Sequence, residues 1–138
     1  MDKGEKKRKF LIATHGTFSA GIKSSLDIIL GSVEDVFLIQ AYIDDTTSVE
    51  TEIKKILEQI SDEDELIIFS DILGGSITNK IIEQAAHKPN IHIVTGFNLP
   101  LLIDIILADK SIPAEEAINT ALDNAREQMV YVNKLLTP

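Results

Sequence analysis

The fold is decided by the stretch FLIATHG at residues 10–16, a short apolar run that ends in a threonine, a histidine and a glycine. The same arrangement returns at residues 66–76, where LIIFSD leads into ILGGS. In both places apolar residues at helical spacing follow the glycine. A buried strand that passes through a glycine turn into a helix is the repeating unit of a parallel sheet covered on both faces.

Four apolar, β-prone runs predict strands, at residues 10–14, 36–42, 66–70 and 91–95. Between and after them, apolar residues recur at helical spacing, at residues 22–30, 49–60, 77–86, 101–108 and 113–125. We therefore expect an α/β fold, doubly wound, with a mainly parallel four-stranded sheet in the order 2-1-3-4 and helices on both faces.

The length of 138 residues suits one domain. We expect residues 1–9, MDKGEKKRK, to form a disordered basic leader and residues 10–138 to form a single domain. The segment at residues 129–136 is ambiguous, because its β-prone start, MVYV, fits either an extension of the last helix or a short antiparallel edge strand.

The composition excludes several classes of function. A chain without cysteine has no disulfide scaffold, no thiolate zinc site and no catalytic cysteine. A net charge of -9 repels phosphate backbones, so we expect no nucleic-acid partner. No apolar run is long enough to cross a bilayer or to serve as a signal peptide, and we expect a cytoplasmic protein.

Two polar residues follow strands that we expect to be neighbours. His15 comes directly after the first strand and Asp71 directly after the third. Ligands bind at the carboxyl ends of parallel strands, so adjacent first and third strands would bring these side chains together. A carboxylate that accepts a hydrogen bond from one imidazole nitrogen leaves the other nitrogen free to attack phosphorus. His15 is therefore the candidate nucleophile, and Asp71 the candidate residue that orients it.

Glycine turns next to both residues suit a phosphoryl group, because backbone N–H groups and helix N-termini bind anions. Gly16, Gly74 and Gly75 would let the backbone approach such a group closely. Hydroxyl donors lie beside them at Thr14, Thr17, Ser19 and Ser76. The same glycines are also typical of a tight strand-to-helix turn that binds nothing.

We expect neither a cofactor nor a metal. The chain has no Walker-type or dinucleotide-binding glycine motif. A divalent ion held by His15, Asp71, Asp44 and Asp45 is conceivable, since all of them follow strands. Asp44 and Asp45 fit a solvated turn better.

Three segments together resemble the A component (EIIA) of the mannose/fructose/sorbose-type permeases of the bacterial sugar phosphotransferase system (PTS). FLIATHG is similar to the family's strand that ends in Gly-Thr-His-Gly, with Ala13 in place of the first glycine. SDILGGS at residues 70–76 is similar to its Asp-x-x-Gly-Gly-Ser loop, and GFNLPLL at residues 96–102 to its Gly-x-Asn-x-Pro-Met-Leu segment. Ile77 stands where the family often has proline, and Leu73 where it commonly has tryptophan.

The resemblance implies a phosphotransferase that carries a phosphoryl group as a phosphohistidine. His15 would accept the group from phospho-HPr and pass it to a histidine of the EIIB subunit, which serves the membrane subunits EIIC and EIID, while Asp71 orients His15. The implied phosphate-binding residues are Thr14, Gly16, Gly74, Gly75 and Ser76. The implied rim for docking partners is Phe18, Leu73 and Asn98.

The resemblance also implies a homodimer. A C-terminal strand, here residues 129–136, would be exchanged between subunits, and the apolar helix at residues 101–108 would lie at the contact.

Two other functions stay open. The phosphotransferase subunit of a phosphoenolpyruvate-dependent dihydroxyacetone kinase is similar in fold and also uses a histidine at a strand end. A receiver-like signalling domain also has an aspartate after its third strand, where Asp71 lies. A receiver, however, needs an acidic pair after its first strand, and this chain has Thr14, His15 and Gly16 there.

Overall fold

The computed structural model, which describes residues 6–137, alternates strands and helices as the sequence predicts. The first part of the chain holds β1 (Arg8–His15), α1 (Phe18–Leu30), β2 (Val36–Ala41), α2 (Val49–Glu58), β3 (Glu65–Ser70), α3 (Ser76–Ala85) and β4 (Ile91–Thr95). The last part holds α4 (Leu99–Leu107), α5 (Ala114–Glu127) and α6 (Val132–Leu135).

The four strands form one sheet in the order β2-β1-β3-β4, and every pair is parallel. This confirms the predicted α/β class and strand order. His15 pairs in register with Ala41 of β2, and Ala13 pairs with Ser70 of β3. The carboxyl ends of β1, β2 and β3 therefore meet at one edge of the sheet.

The two central strands explain why the chain folds this way. Their apolar residues are 0% exposed from Leu11 to Ala13 in β1 and from Leu66 to Phe69 in β3. Strands that are apolar on both faces need cover on both faces. Alternate side chains point to opposite faces of a sheet, so one strand contributes to two cores.

Helices lie on both faces of the sheet, as predicted. On one face, Leu11 and Ile68 belong to a core cluster with Ile53 of α2 and Ile81 of α3. On the other, α1 packs against β1 and β2 and buries Leu26 outside that cluster. The amphipathic pattern of α1, α2 and α3 thus matches the face that each of these helices covers.

The first strand begins earlier than the sequence predicts. Arg8 and Lys9, assigned above to a disordered leader, belong to β1 and pair in register with Glu65 and Leu66 of β3. The Arg8 side chain is buried and lies 3.3 Å from Glu65 Oε1. A buried arginine with a carboxylate partner can occupy a strand position that composition alone assigns to solvent. Residues 1–5 of the predicted leader lie outside the described residues.

Within the predicted domain of residues 10–138, the Cα positions group into two compact units, one up to Phe97 and one from Asn98 onward. In the second unit α4 and α5 pack against each other and bury Leu102, Ile105 and Ala121. The ambiguous segment at residues 129–136 neither extends α5 nor forms a strand, because it contains the separate short helix α6. Among the described helices, none combines the length and apolar character needed to span a membrane.

Candidate functional site

His15 is the last residue of β1 and lies at the carboxyl edge of the sheet. The chain turns away directly after it at Gly16, whose φ of 58° is in the left-handed region that glycine adopts without steric cost. Gly16 donates its N–H to the Ala41 carbonyl oxygen at 2.8 Å, which ties the turn to the end of β2. The His15 side chain is 43% exposed, so another protein can reach its ring.

Asp71 follows β3, and its carboxylate holds His15 at two points. Asp71 Oδ2 accepts the backbone N–H of His15 at 2.9 Å and lies 3.0 Å from the ring nitrogen Nδ1. An ionised carboxylate only accepts hydrogen bonds, so this contact assigns the proton to Nδ1 and the lone pair of the neutral ring to Nε2. Within residues 6–137, Nε2 has no hydrogen-bond partner. The structure thus brings together the two side chains that the strand-end rule pairs.

The environment of Asp71 keeps its carboxyl group charged. Burial of the side chain acts to raise its pKa. Hydrogen bonds from the backbone and ring of His15, together with attraction to the ring, act in the other direction and outweigh the burial. The pKa of Asp71 is therefore lowered from its ordinary value of 3.8, and the acceptor is a carboxylate at neutral pH.

The turn between β3 and α3 brings backbone amides to the imidazole. Gly75 is the N-cap of α3, and no described side chain caps this helix. A Cβ added to Gly75 would lie 3.8 Å from His15 Cε1, so the glycine backbone passes close to the ring. Uncapped N–H groups and the positive end of a helix attract an anion. The start of α3 therefore suits a phosphoryl group carried on His15.

A buried hydroxyl that sequence reasoning missed holds this turn in place. Thr78, 2% exposed, donates from Oγ1 to the Ile72 carbonyl oxygen at 2.6 Å and lies 2.7 Å from Ser70 Oγ. Ser70 Oγ in turn lies 2.9 Å from Thr95 Oγ1 of β4. These contacts join the end of β3, the glycine turn and α3. The sequence signal was a threonine on the buried face of an otherwise apolar helical pattern.

Tyr42 is a second residue of the site that sequence reasoning missed. Its ring centroid lies 5.6 Å from that of His15, and its hydroxyl oxygen lies 2.7 Å from Ser76 Oγ. Tyr42 has a φ of 66°, a backbone conformation that costs a residue with a bulky side chain roughly 1–3 kcal/mol. Such strain persists where the surroundings enforce it, often at functional sites. The signal was its position directly after β2, at the same sheet edge as His15.

Lys80 places a positive charge beside these groups. Its Nζ lies 3.3 Å from the Tyr42 hydroxyl, 3.1 Å from Glu50 Oε1 and 5.6 Å from the Tyr42 ring centroid. The hydrogen bonds that Lys80 donates to Glu50 and to Tyr42 raise the pKa of Lys80. The hydrogen bond between Ser76 and Tyr42 contributes most to lowering the pKa of Tyr42; burial opposes it, and the hydrogen bond from Lys80 adds a smaller lowering effect.

Two of the predicted hydroxyl donors, Thr14 and Ser19, make hydrogen bonds within the protein interior instead. Thr14 is 0% exposed, and its Oγ1 accepts the backbone N–H of Ser19 at 2.8 Å. Ser19 is also 0% exposed and donates its hydroxyl to the Ile39 carbonyl oxygen at 3.0 Å. The expectation that the Thr14 hydroxyl binds phosphate does not fit this arrangement, because a buried strand residue offers its hydroxyl to the following helix. Thr17 is exposed and stays a candidate donor.

The predicted docking rim divides between the two units. Phe18 is 50% exposed and stacks on Phe97 with ring centroids 5.5 Å apart, and Leu73 is 76% exposed. Asn98 belongs to the second unit, where its side chain accepts the N–H of Leu101 and donates to the Ala125 carbonyl oxygen. Phe18 and Leu73 are thus apolar surface in the first unit, whereas Asn98 caps α4.

The acidic residues after β2 form a turn. Asp44 Oδ1 accepts both the backbone N–H and the hydroxyl of Thr46, at 3.0 and 2.7 Å. These bonds lower the pKa of Asp44, with the hydroxyl contributing most. Over residues 6–137, no three histidine, cysteine, aspartate or glutamate side chains are grouped closely enough to hold a metal ion.

The sequence matches a family of known function over most of its length. The family model described as PTS system fructose IIA component matches residues 9–122. A curated relative from Bacillus subtilis (strain 168), the PTS system fructose-specific EIIA component, is 22% identical over 110 residues, which cover 79% of this chain and 75% of that protein.

Two solved structures share the fold over nearly the whole chain. A candidate phosphoenolpyruvate-dependent sugar phosphotransferase system permease from Klebsiella pneumoniae is 30% identical, covers 99% of each chain and superposes with a TM-score of 0.91. The PTS IIA protein associated with the fucose utilization operon of Streptococcus pneumoniae is 27% identical, with a TM-score of 0.81 over 96% of this chain and 98% of that one.

Proposed function

Because this chain belongs to the family of PTS system fructose IIA components and is thereby an EIIA component of the sugar phosphotransferase system, we propose that it carries a phosphoryl group on His15. It accepts the group from the phosphohistidine of HPr. It then passes the group to a histidine of the EIIB subunit, which serves the membrane subunits EIIC and EIID. This exchange with HPr takes place in the cytoplasm.

The observation that carries the proposal is the distance of 3.0 Å between His15 Nδ1 and Asp71 Oδ2. It assigns the two ring nitrogens to different tasks. Nδ1 holds its proton against the carboxylate, and Nε2, which makes no hydrogen bond within residues 6–137, offers its lone pair.

The transfer step follows from this assignment. The Nε2 lone pair forms a bond to phosphorus while the phosphorus–nitrogen bond of the donor histidine breaks, and that bonding pair returns to the donor ring. Phosphoryl transfer has a loose transition state, so positioning and charge stabilisation supply most of the acceleration. The backbone N–H of His15, bonded to Asp71 Oδ2 at 2.9 Å, keeps the strand end and the carboxylate in one fixed geometry.

Charge stabilisation comes from both sides of the ring. With phosphorus on Nε2 and a proton on Nδ1 the imidazole becomes cationic, and the ionised Asp71 stabilises that charge. On the phosphoryl side, Gly75, the N-cap of α3, passes near His15 Cε1, and the positive end of this helix attracts an anion there. Lys80 adds a positive charge close to Tyr42 and Ser76.

Intact-mass spectrometry tests the proposal directly. The purified chain is incubated with phosphoenolpyruvate, enzyme I and HPr, and we expect the mass to increase by one phosphoryl group. His15→Ala should abolish the increase. His87→Ala is the matched control, because His87 is an exposed histidine that follows α3, and it should behave as wild type. No increase in the wild-type chain would refute the proposal.

The protein that accepts the phosphoryl group distinguishes an EIIA component from the phosphotransferase subunit of a dihydroxyacetone kinase. The phosphorylated chain should lose its phosphoryl group to the purified EIIB protein encoded nearest its gene. The group should not pass to the nucleotide-binding subunit of a dihydroxyacetone kinase. Transfer in the opposite pattern would assign the chain to the kinase.

The homodimer is part of the same proposal. In the segment at residues 129–136, six large apolar side chains are at least half exposed: Met129, Val130, Tyr131, Val132, Leu135 and Leu136. A contiguous exposed apolar segment marks an interaction surface. We place the exchanged segment of the dimer here, as the resemblance implies.

A further inference from the structure

Four side chains near His15 form a chain of contacts, and the transfer step described above does not give a role to each of them. Glu50 of α2 pairs with Lys80 of α3 at 3.1 Å, Lys80 lies 3.3 Å from the Tyr42 hydroxyl, and that hydroxyl lies 2.7 Å from Ser76 Oγ. Ser76 and Lys80 are four residues apart on α3 and therefore share one face of the helix. The chain of contacts ends at the helix start that faces the imidazole.

The chemistry of Lys80 gives this chain a direction. An ammonium group has only protons to donate, so the Tyr42 oxygen accepts from Lys80. A phenol that accepts from a cation becomes a stronger donor through its own O–H. With its oxygen accepting from Lys80, Tyr42 then donates its own proton to Ser76 Oγ, 2.7 Å away. The Ser76 proton is left free for another acceptor.

The position of Ser76 points to that acceptor. Ser76 follows Gly75, whose backbone passes near His15 Cε1, and Tyr42 lies beside both the His15 ring and the Ser76 hydroxyl. An oxygen of a phosphoryl group on Nε2 is the anion that this site would hold. Resting on the phosphocarrier function proposed above, we propose that Tyr42 and Lys80 are positioning residues that direct the Ser76 hydroxyl proton toward that phosphoryl group.

The proposal explains why Tyr42 keeps a strained backbone. Glycine adopts a φ of 66° without strain, so a tyrosine with this backbone conformation indicates that its side chain has a function. Tyr42 is 56% exposed, so this function is not the burial of apolar surface. The contacts of Tyr42 with His15 and Ser76 account for it.

The test measures phosphorylation by phospho-HPr in wild type, Tyr42→Phe, Lys80→Met and Ser76→Ala. Tyr42→Phe keeps the ring against His15 and removes only the hydroxyl. We expect kcat to fall about tenfold in each variant, the loss of one charge-assisted hydrogen bond, while KM for phospho-HPr stays within about twofold. Lys80→Arg should restore most of the rate, because arginine also donates only. Lys54→Met, at an exposed lysine of α2, is the control for loss of a surface charge.

A double-mutant cycle separates a directed chain from independent effects. Once Ser76 is alanine, Tyr42→Phe should lower kcat by less than about twofold, because the group that it positions is gone. A further tenfold loss in the double variant would overturn the proposal, and so would an unchanged kcat in Tyr42→Phe. A rise in KM alone would assign Tyr42 to docking and overturn it equally.

The outcomes for this proposal and for the phosphocarrier function are distinct. If the wild-type chain takes up no phosphoryl group, the phosphocarrier function fails. If the wild type is phosphorylated on His15 and the Tyr42 and Lys80 variants match its kcat, only the positioning role fails.

Discussion

Replacing Asp71 with alanine removes the one carboxylate that contacts both the backbone and the ring of His15. Two hydrogen bonds are lost, from the His15 N–H at 2.9 Å and from Nδ1 at 3.0 Å. The nucleophile itself remains, so the variant should still accept a phosphoryl group, but slowly. Asp71→Asn is the informative companion, because it keeps the shape of the side chain and changes its charge and donors.

The size of the effect follows from the contact to the ring. A hydrogen bond to a charged partner contributes about 1.5–3 kcal/mol. This contribution is largest when the ring is phosphorylated and cationic, so Asp71→Ala should lower the transfer rate by roughly 10–100-fold. Because one oxygen of Asp71 accepts both the backbone N–H and Nδ1 of His15, asparagine can place its amide oxygen there and keep both bonds while losing the negative charge. Asp71→Asn should therefore be impaired less than Asp71→Ala, and its remaining loss measures the contribution of the charge.

Rapid-quench kinetics with phospho-HPr as donor measures both rates. Unfolding followed by circular dichroism in urea shows whether each variant is folded. The lowered pKa of Asp71 also sets a pH window. Its stabilising contribution is complete above the ordinary value of 3.8 and is lost as the pH falls through the lower folded-state pKa. The stability difference between wild type and Asp71→Ala should therefore shrink below pH 4 or so. A wild-type transfer rate in Asp71→Ala would refute the orienting role.

Further predictions concern the turn and the C-terminal segment. Gly74→Ala should destabilise the chain by about 1–2 kcal/mol in urea unfolding, because Gly74 has a φ of 77°. Gly75→Ala, where φ is -75°, should lack this strain penalty, and equal losses would contradict the argument. Thr78→Val removes the hydroxyl that donates to the Ile72 carbonyl oxygen at 2.6 Å, leaves that oxygen only the Gly75 N–H at 3.3 Å, and deprives the buried Ser70 Oγ of a partner. It should cost about 1–3 kcal/mol, whereas a neutral effect would show that water replaces the hydroxyl. Ending the chain after Gln128 should convert a dimer to a monomer in sedimentation equilibrium, and an unchanged mass would place the dimer contact elsewhere.

The sheet was predictable because its strands carry their own signals. The sequences of β1 and β3 are apolar without alternation, which is typical of strands covered on both faces. The glycine turns that follow these strands indicate the connections to the next helices. The strand order 2-1-3-4 was an expectation that a parallel sheet permits but does not require, and the pairing of β1 with both β2 and β3 confirms it. The pairing of His15 with Asp71 followed in turn, because both residues end neighbouring strands.

What the sequence did not reveal depends on partners that are distant in the chain. Arg8 looks like part of a charged leader until Glu65, 57 residues later, is seen beside it. Thr14 looks like an exposed donor next to His15, but it is buried on the opposite side of the strand from its neighbour. Tyr42 gave no periodic signal, because its role depends on contacts with Ser76 and on a positive φ.

The chemistry of the site depends on which nitrogen of His15 receives phosphorus. NMR of the phosphorylated chain, with histidine nitrogens labelled with nitrogen-15, identifies the phosphorylated atom from its coupling to phosphorus-31. The contact between Nδ1 and Asp71 predicts phosphorus on Nε2 of His15. Phosphorus on Nδ1, or on His87 or His92, would contradict the account.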